Sequence, residues 1–168
     1  INVILLKEEN INKVETFFQN YLNLGIDNKP KLVQGIKVKS NNNLTHSFSD
    51  IPDKALSIIN LTTISELEKK LGKKIAPSRF RGNLLIDNGN PWEEFNWIGK
   101  KVSVGDSVLE VFKKTKRCAA TNVNPENALR DINIRNEINT HYGHLDLGVY
   151  ARVIKSGLVA ISDQLYVY

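Results

Sequence analysis

The chain has 168 residues, of which 41% are hydrophobic and 24% charged, and its formal net charge is +5. This composition predicts one soluble domain over residues 1–168, and the single cysteine excludes an intrachain disulfide and any multi-cysteine metal site. No apolar run approaches the roughly 20 residues that cross a bilayer, and no signal peptide is recognisable, so a cytoplasmic location without a membrane partner is expected. The positive charge favours anionic partners, although a solvated lysine-rich surface is the plainer explanation.

The first third of the chain predicts a short strand at Asn2–Leu6 and then a helix that ends at Gly25. Apolar residues recur along that helix at three- and four-residue spacing: Ile11, Val14, Phe17, Phe18, Tyr21 and Leu22. Next come a predicted strand at Leu32–Val38, a polar loop at Lys39–His46 and a short buried strand at Ser57–Leu61.

A capping box predicts the start of a second helix, with Thr63 at the N-cap and Glu66 three residues later. Gly72 is expected to end this helix. Strands dominate from there, and they are predicted at Asn83–Asp87, Lys101–Val104, Val108–Lys113, Leu147–Ile154 and Leu158–Val167.

Turn residues separate these strands. Gly105-Asp106 predicts a hairpin, Pro125 opens a helix or turn near residues 125–130, and Lys155–Gly157 is expected to join the last two strands directly. Short strands with frequent turns favour a closed or nearly closed β-barrel. The predicted fold class is therefore mainly β with peripheral helices, an α+β arrangement.

Cys118 is the first candidate for chemistry, because it follows a basic strand and enters a loop. Four cations precede it within five residues: Lys113, Lys114, Lys116 and Arg117. Nearby positive charge favours the thiolate, the form that ligates metals and attacks electrophiles. A small buried side chain without chemistry is the alternative.

Arg79 and Arg81 form a second basic cluster. Two residues apart on an extended segment, their guanidinium groups would point the same way and hold a phosphate or another polyanion. Gly82 would let a ligand approach the backbone, and Asn83 offers both a donor and an acceptor. A surface strand with paired arginines is the alternative.

Other sequence patterns give weaker indications of a functional site. His141 and His144 lie close in sequence, but no further residue completes a zinc site, so structural roles are expected. The chain contains neither a serine-hydrolase elbow nor a glycine-rich phosphate loop. Trp92, Phe95 and Trp97 are interleaved with acids, which favours packing against the barrel over stacking on nucleic-acid bases.

The order of several motifs resembles that of a MOSC domain, the C-terminal domain of molybdenum cofactor sulfurases and its stand-alone relatives. The motifs are Arg79–Leu84, Pro91–Glu94 with Trp97–Gly99, Gly105-Asp106, Arg117–Thr121 and Gly148–Val153. The resemblance covers about residues 50–168 and is less clear over residues 1–45. The family's usual Arg-Pro-Asn stands here as Arg81-Gly82-Asn83.

This resemblance implies a β-barrel with peripheral helices and a cysteine, matching Cys118, that ligates molybdenum or carries sulfur. In a relative, the mitochondrial amidoxime-reducing component, the cofactor is a pterin dithiolene with a phosphate tail. The resemblance therefore implies a molybdenum cofactor (molybdopterin) here, with residues beside the cysteine binding its phosphate and pterin. The residues implied are Arg79, Arg81 and Arg117, and, through neutral hydrogen bonds, Asn83, Thr115, Thr121 and Asn122.

Three functions are open from the sequence. The first is a molybdenum-dependent oxidoreductase that reduces N-hydroxylated substrates with electrons from a separate donor protein. The second is a carrier that passes sulfur or molybdenum cofactor from Cys118 to an accepting enzyme. Pyridoxal phosphate is not expected in this chain. The third is a basic β-barrel that binds nucleic acid, which accounts for the charge and leaves the cysteine unexplained.

Overall fold

A computed structural model gives the fold, and it describes residues 8–32, 38–39, 45–46, 51 and 53–168. The chain divides into two compact units, Ile1–Asp53 and Lys54–Tyr168. The first unit contains helix α1 (Glu8–Tyr21) and two short antiparallel strands, β1 (Val38–Lys39) and β2 (Thr45–His46).

Helix α1 confirms the predicted apolar periodicity, but its end was predicted wrongly. The helix ends at Tyr21 and not at Gly25, and Asn23 after it takes the left-handed conformation (φ 50°). Asparagine tolerates this conformation better than other non-glycine residues. The Glu15 carboxylate then accepts a hydrogen bond from the Leu32 amide at 2.8 Å, which draws the following chain back along the helix.

Two other predictions for this unit fall mostly or wholly on residues that the structure does not describe. The strand at Asn2–Leu6 lies outside the described residues, as does most of the strand at Leu32–Val38. The expected loop at Lys39–His46 has its two ends paired as β1 and β2.

The second unit is built on one six-stranded mixed sheet that forms a half-barrel. Its strands are β3 (Leu56–Asn60), β4 (Leu84–Ile86), β5 (Lys101–Val104), β6 (Ser107–Lys116), β7 (Asp146–Lys155) and β8 (Leu165–Val167). They lie in the order β4-β3-β7-β6-β5-β8, with β3 and β4 parallel and the other pairs antiparallel. The predicted fold class, mainly β with peripheral helices, is confirmed.

Apolar side chains are buried on both faces of the sheet. Ile58 and Ile59 are adjacent on β3, so they point to opposite faces, and each belongs to a different core cluster. Ile58 packs with Trp97, which confirms the expected packing role of the aromatic segment. Ile59 packs under helices α2 (Leu61–Leu71) and α3 (Ile134–Tyr142).

The start of α2 differs from the capping-box prediction. Asn60 is the N-cap, and its side chain accepts a hydrogen bond from the Thr62 amide at 3.0 Å. Thr63 lies inside the helix, where its hydroxyl donates to the buried Glu94 carboxylate at 3.0 Å. Burial raises the pKa of Glu94. The predicted helix end at Gly72 is confirmed, with φ 63°.

The last strand was also predicted wrongly. The chain does not turn back beside β7 at Lys155–Gly157. Instead, the Asp106 amide donates to the Leu158 carbonyl at 3.0 Å, and the Ser107 hydroxyl donates to the Gly157 carbonyl at 3.0 Å. These bonds carry the chain across the β5–β6 hairpin, so β8 pairs with β5.

Candidate functional site

Cys118 lies where β6 ends and a short 3₁₀ turn, Ala119–Asn122, begins. Its side chain is exposed, so the thiol is accessible as the sequence predicted. The Cys118 carbonyl accepts hydrogen bonds from the Thr121 hydroxyl at 2.9 Å and the Thr121 amide at 3.2 Å. Thr121 itself is buried, and it therefore fixes the backbone that presents the thiol. We call residues 117–122 the cysteine segment.

Arg117, directly before the thiol, points into the protein. Its Nε donates to the Leu147 carbonyl at 2.8 Å, Nη1 donates to the Phe80 carbonyl at 3.1 Å, and Nη2 donates to the Leu147 carbonyl. Burial lowers the pKa of Arg117 to about 10, so the guanidinium stays charged at neutral pH. The Arg117 amide also donates to the Leu145 carbonyl at 2.8 Å. Arg117 thus ties the cysteine segment to β7 and to the chain around Phe80.

Gly148 makes room for this arrangement. Its φ is 76°, and a Cβ placed there would lie 2.5 Å from the Ile58 carbonyl oxygen and 3.1 Å from Nη2 of Arg117. A residue with a side chain would therefore be strained and would press on the guanidinium.

Arg79 is the second buried arginine of the site. It lies in a 3₁₀ turn, Pro77–Phe80, and not on the extended segment that the sequence predicted. Its Nη2 donates to both carboxylate oxygens of Asp131 at 2.7 Å, and its Nη1 donates to the Asn122 carbonyl at 3.3 Å. The Arg79 guanidinium lowers the pKa of Asp131. Asp131 thus balances the charge of Arg79.

The expected pair of parallel guanidinium groups is therefore absent from this segment. Arg81 is in the left-handed region (φ 50°) and exposed, while Arg79 is buried. Arg79 lies inside the 3₁₀ turn and Arg81 is its C-cap, so the two side chains do not share one side as they would on an extended segment. Asn83 bonds within the fold, because its Oδ1 accepts from the Ser57 amide at 2.8 Å between β3 and β4.

The remaining predicted residues lie at different depths. Thr115 is 2% exposed, and its hydroxyl has no hydrogen-bond partner among the described residues. Asn122 donates from Nδ2 to Oδ1 of Asn133 at 3.1 Å. Of the basic residues on β6, Lys113 and Lys116 are exposed, and Lys114 lies with its Nζ 4.3 Å from the centre of the Phe95 ring.

Four of the predicted residues, Arg117, Cys118, Thr121 and Asn122, belong to the cysteine segment itself, and Arg79 is joined to it by its hydrogen bond to the Asn122 carbonyl. Asn83 is bonded elsewhere, between β3 and β4. Sequence reasoning missed two residues that complete this region. Asp131 lies 52 positions from its partner Arg79, and Asn133 is both the N-cap of α3 and the partner of Asn122. Neither has a motif that would have identified it.

His141 and His144 have structural contacts. The Nδ1 atom of His144 accepts from the Asp146 amide at 3.2 Å, and its ring packs edge-on against Trp92 and Phe95. Burial lowers the pKa of His144. His141 lies 3.6 Å from the Glu137 carboxylate on α3.

The donor set around Cys118 limits the kind of metal site that fits. Within the described ranges, no group of three or more His, Cys, Asp or Glu side chains is placed to hold a metal ion. An ion coordinated by the protein alone therefore does not fit these residues. A metal that takes one soft thiolate from the protein and its other ligands from an organic cofactor does fit.

Comparison with known proteins gives a family and a fold. The family model of the MOSC domain matches residues 43–166. A search of curated protein sequences finds no match. Among solved structures, the chain is similar to YiiM from Geobacillus stearothermophilus (17% identity, TM-score 0.52) and to YiiM from Escherichia coli (19% identity, TM-score 0.51).

These likenesses extend over only part of the larger proteins. The alignment with the Geobacillus protein covers 67% of this chain and 53% of that one, and the alignment with the Escherichia protein covers 84% and 65%. This chain thus spans less than two thirds of either YiiM. In the part of the chain that the structure describes, no helix has the length and apolar character needed to cross a membrane.

Proposed function

This chain belongs to the MOSC domain family, and from that premise we propose that Cys118 is the protein ligand of a molybdenum cofactor in an oxidoreductase. The family is associated with this cofactor. The observation that carries the proposal is the exposed thiol on a segment whose backbone is fixed from both sides. When bound, the cofactor would supply two-electron exchange with a substrate oxygen.

The cysteine segment holds the thiol in place through residues that do not themselves face solvent. Arg117 and Thr121 are buried, and their hydrogen bonds end on backbone carbonyls. We assign both as positioning residues. Arg81 is exposed and follows Phe80, whose carbonyl accepts from Arg117, and we assign its charge to the anionic part of the cofactor, whereas the charge of Arg79 is balanced by Asp131.

Reduction of an N-hydroxylated substrate to the amine and water consumes two electrons and two protons. The chain has one cysteine and so cannot hold an iron–sulfur cluster with four cysteine ligands. The electrons in this proposal therefore come from a separate donor protein.

Metal content tests the ligand assignment. The protein is produced together with the enzymes of cofactor synthesis and analysed for molybdenum as purified. We expect about one molybdenum per chain in the wild type, and little in Cys118→Ser and Cys118→Ala, since a hydroxyl or a hydrogen replaces the soft thiolate sulfur.

Ala120→Ser is the matched control, because it adds a hydroxyl to the same exposed turn and leaves the thiol in place. This variant is expected to retain the metal. Molybdenum at the wild-type level in both Cys118 variants would show that the cysteine is not the ligand.

The exposed thiol also favours a second function, a sulfur carrier. Here the Cys118 thiolate takes the outer sulfur of a donor persulfide, the donor leaves as a thiolate, and an accepting enzyme later receives the sulfur. Mass spectrometry of protein treated with a persulfide donor distinguishes the two functions. A carrier gains one sulfur on Cys118 and releases it to a thiol acceptor while binding no molybdenum.

A further inference from the structure

A pocket beside the cysteine segment has no role in the function proposed above. It has a volume of about 330 Å³ and is lined by Asn133, Arg135, Asn136, Asn139 and Leu145. Four of these residues belong to α3 or its N-cap, and the fifth lies in the turn before β7. We call this cavity the α3 pocket.

Hydrogen bonds place the α3 pocket next to the cysteine segment at two points. At one point, the carbonyl of Leu145 accepts from the amide of Arg117, the residue before the thiol. At the other, Oδ1 of Asn133 accepts from Nδ2 of Asn122, four residues after the thiol. The pocket is therefore bordered by the same segment that presents Cys118.

The lining of the pocket has an unusual balance of polar groups. It contains one guanidinium, three carboxamides and no carboxylate. The oxygen of Asn133 already accepts from the Asn136 amide at 3.3 Å and from Asn122. Arg135 and Asn139 are exposed, and among the described residues no carboxylate forms a salt bridge with Arg135. Its charge is thus available to a ligand.

We propose that the α3 pocket binds a phosphate monoester, with Arg135 balancing the negative charge and the carboxamides of Asn136 and Asn139 donating to the remaining oxygens. A guanidinium matches the spacing of two phosphate oxygens. The additional neutral donors favour a tetrahedral anion with three terminal oxygens over a carboxylate with two. This inference goes beyond the proposed function, because it requires no metal on Cys118.

Calorimetric titration of the metal-free protein with inorganic phosphate tests the pocket. Binding to the wild type is expected to be saturable and to be weakened roughly tenfold or more in Arg135→Ala, the effect of losing hydrogen bonds to a charged group. Asn139→Asp, a nearly isosteric change that adds a negative charge, is expected to weaken binding too. Because both positions are exposed, we expect the thermal unfolding midpoints of both variants, followed by circular dichroism, to match that of the wild type.

Arg130→Ala is the matched control, since it removes an exposed arginine that does not line the pocket. It is expected to bind phosphate as the wild type does. Absence of saturable binding, equal loss in the Arg130 and Arg135 variants, or equal binding of acetate would overturn the proposal.

Two further experiments are needed. The first tests phosphate binding independently of the molybdenum assignment, and the second identifies the source of the phosphate. Cys118→Ser is expected to bind inorganic phosphate normally, so a failed metal ligand does not count against the pocket. Molybdenum content is then measured in Arg135→Ala after production with cofactor synthesis. A reduced content identifies the phosphate as part of the cofactor, and an unchanged content identifies a separate phosphorylated molecule; phosphate binding at Arg135 stands in both cases.

Discussion

Two buried arginines support the cysteine segment, and they are stabilised in opposite ways. Arg117 donates only to the backbone carbonyls of Phe80 and Leu147. Arg79 donates to both oxygens of a carboxylate, Asp131, and to one carbonyl. One cation is held by neutral dipoles inside the fold, and the other by an acid on an exposed turn.

This difference determines how the contribution of each arginine to folding depends on pH. The hydrogen-bond partners of Arg117 do not titrate, and Asp146 adds only a smaller charge interaction, so the contribution of Arg117 to folding is expected to change little with pH in the acidic range. The partner of Arg79 does titrate, so that contribution is lost when Asp131 is protonated. Two arginines that look alike in the sequence are thus expected to respond differently to substitution and to acid.

Replacing Arg117 with alanine is expected to have the largest effect. The substitution leaves two buried carbonyl oxygens without donors, and each such group costs about 1–3 kcal/mol. With the lost packing, we expect the free energy of unfolding to fall by about 4 kcal/mol. Urea unfolding measures this loss, and Lys116→Ala, an exposed neighbour, is the control that should change little. A loss below about 1 kcal/mol would mean that the carbonyls find other partners.

Gly148→Ala tests the same arrangement from the opposite side. The new Cβ meets the Ile58 carbonyl oxygen and the Arg117 guanidinium, and φ is positive. We expect a loss of about 3 kcal/mol, with strain and overpacking both contributing. Gly143→Ala separates these causes, because its φ is 70° but a Cβ added there would meet no atom within 4 Å. That control should lose only about 1 kcal/mol, and equal losses would remove the crowding of Arg117 as a cause.

The sequence predicted the central sheet well, because local patterns determine it. Alternating apolar residues and the Gly105-Asp106 turn predicted β5 and β6, and the structure confirms both. The prediction of the final strand failed because residues 158–161 are apolar in sequence yet exposed in the structure. Leu158 is 83% exposed and Ile161 is 99% exposed, and only Leu165–Val167 pairs with a neighbour.

Helix α3 was missed for the opposite reason. It has two fully buried residues, Ile134 and Ile138, four positions apart, and its other residues are polar apart from Tyr142. That is too little periodicity to predict a helix. Asn133 supplies the N-cap through its side chain, a signal that is common in loops as well.

The candidate site was predictable only in part. Cys118 was identified because it is the single cysteine and follows a basic strand. The direction in which each cation points was not predictable, since Arg117 meets Leu147 at a separation of 30 residues and Arg79 meets Asp131 at 52. Contacts at such separations follow from the packing of the sheet and not from local pattern.

Asp131→Asn tests whether the stabilisation by the Arg79–Asp131 salt bridge depends on pH. Arg79 lowers the pKa of Asp131 in the folded state, below the value of about 3.9 for an unfolded chain. The stabilisation is therefore fully present above about pH 4 and is lost as pH falls through the lower folded pKa. In urea unfolding, the free energy of unfolding of the wild type should exceed that of Asp131→Asn by a constant amount between about pH 7 and 5. This excess should become smaller at lower pH.

Arg117→Ala is the control for this pH series. Its loss of stability relative to the wild type should change much less over the acidic range, because carbonyl oxygens do not titrate there and Asp146 contributes only a minor charge interaction. A difference for Asp131→Asn that stays constant down to the lowest pH at which the protein is folded would contradict the salt-bridge assignment.

The smallest expected effect concerns the two neighbouring lysines of β6 and extends the comparison to the surface. Lys114 lies over the Phe95 ring at 4.3 Å, whereas Lys113 is exposed. A double-mutant cycle of Lys114→Ala with Phe95→Leu is expected to give a coupling free energy of about 0.5–1 kcal/mol. The same cycle with Lys113→Ala should give none within error. Equal coupling in both cycles would show that the strand's overall positive charge matters, and not the position of one ammonium group over one ring.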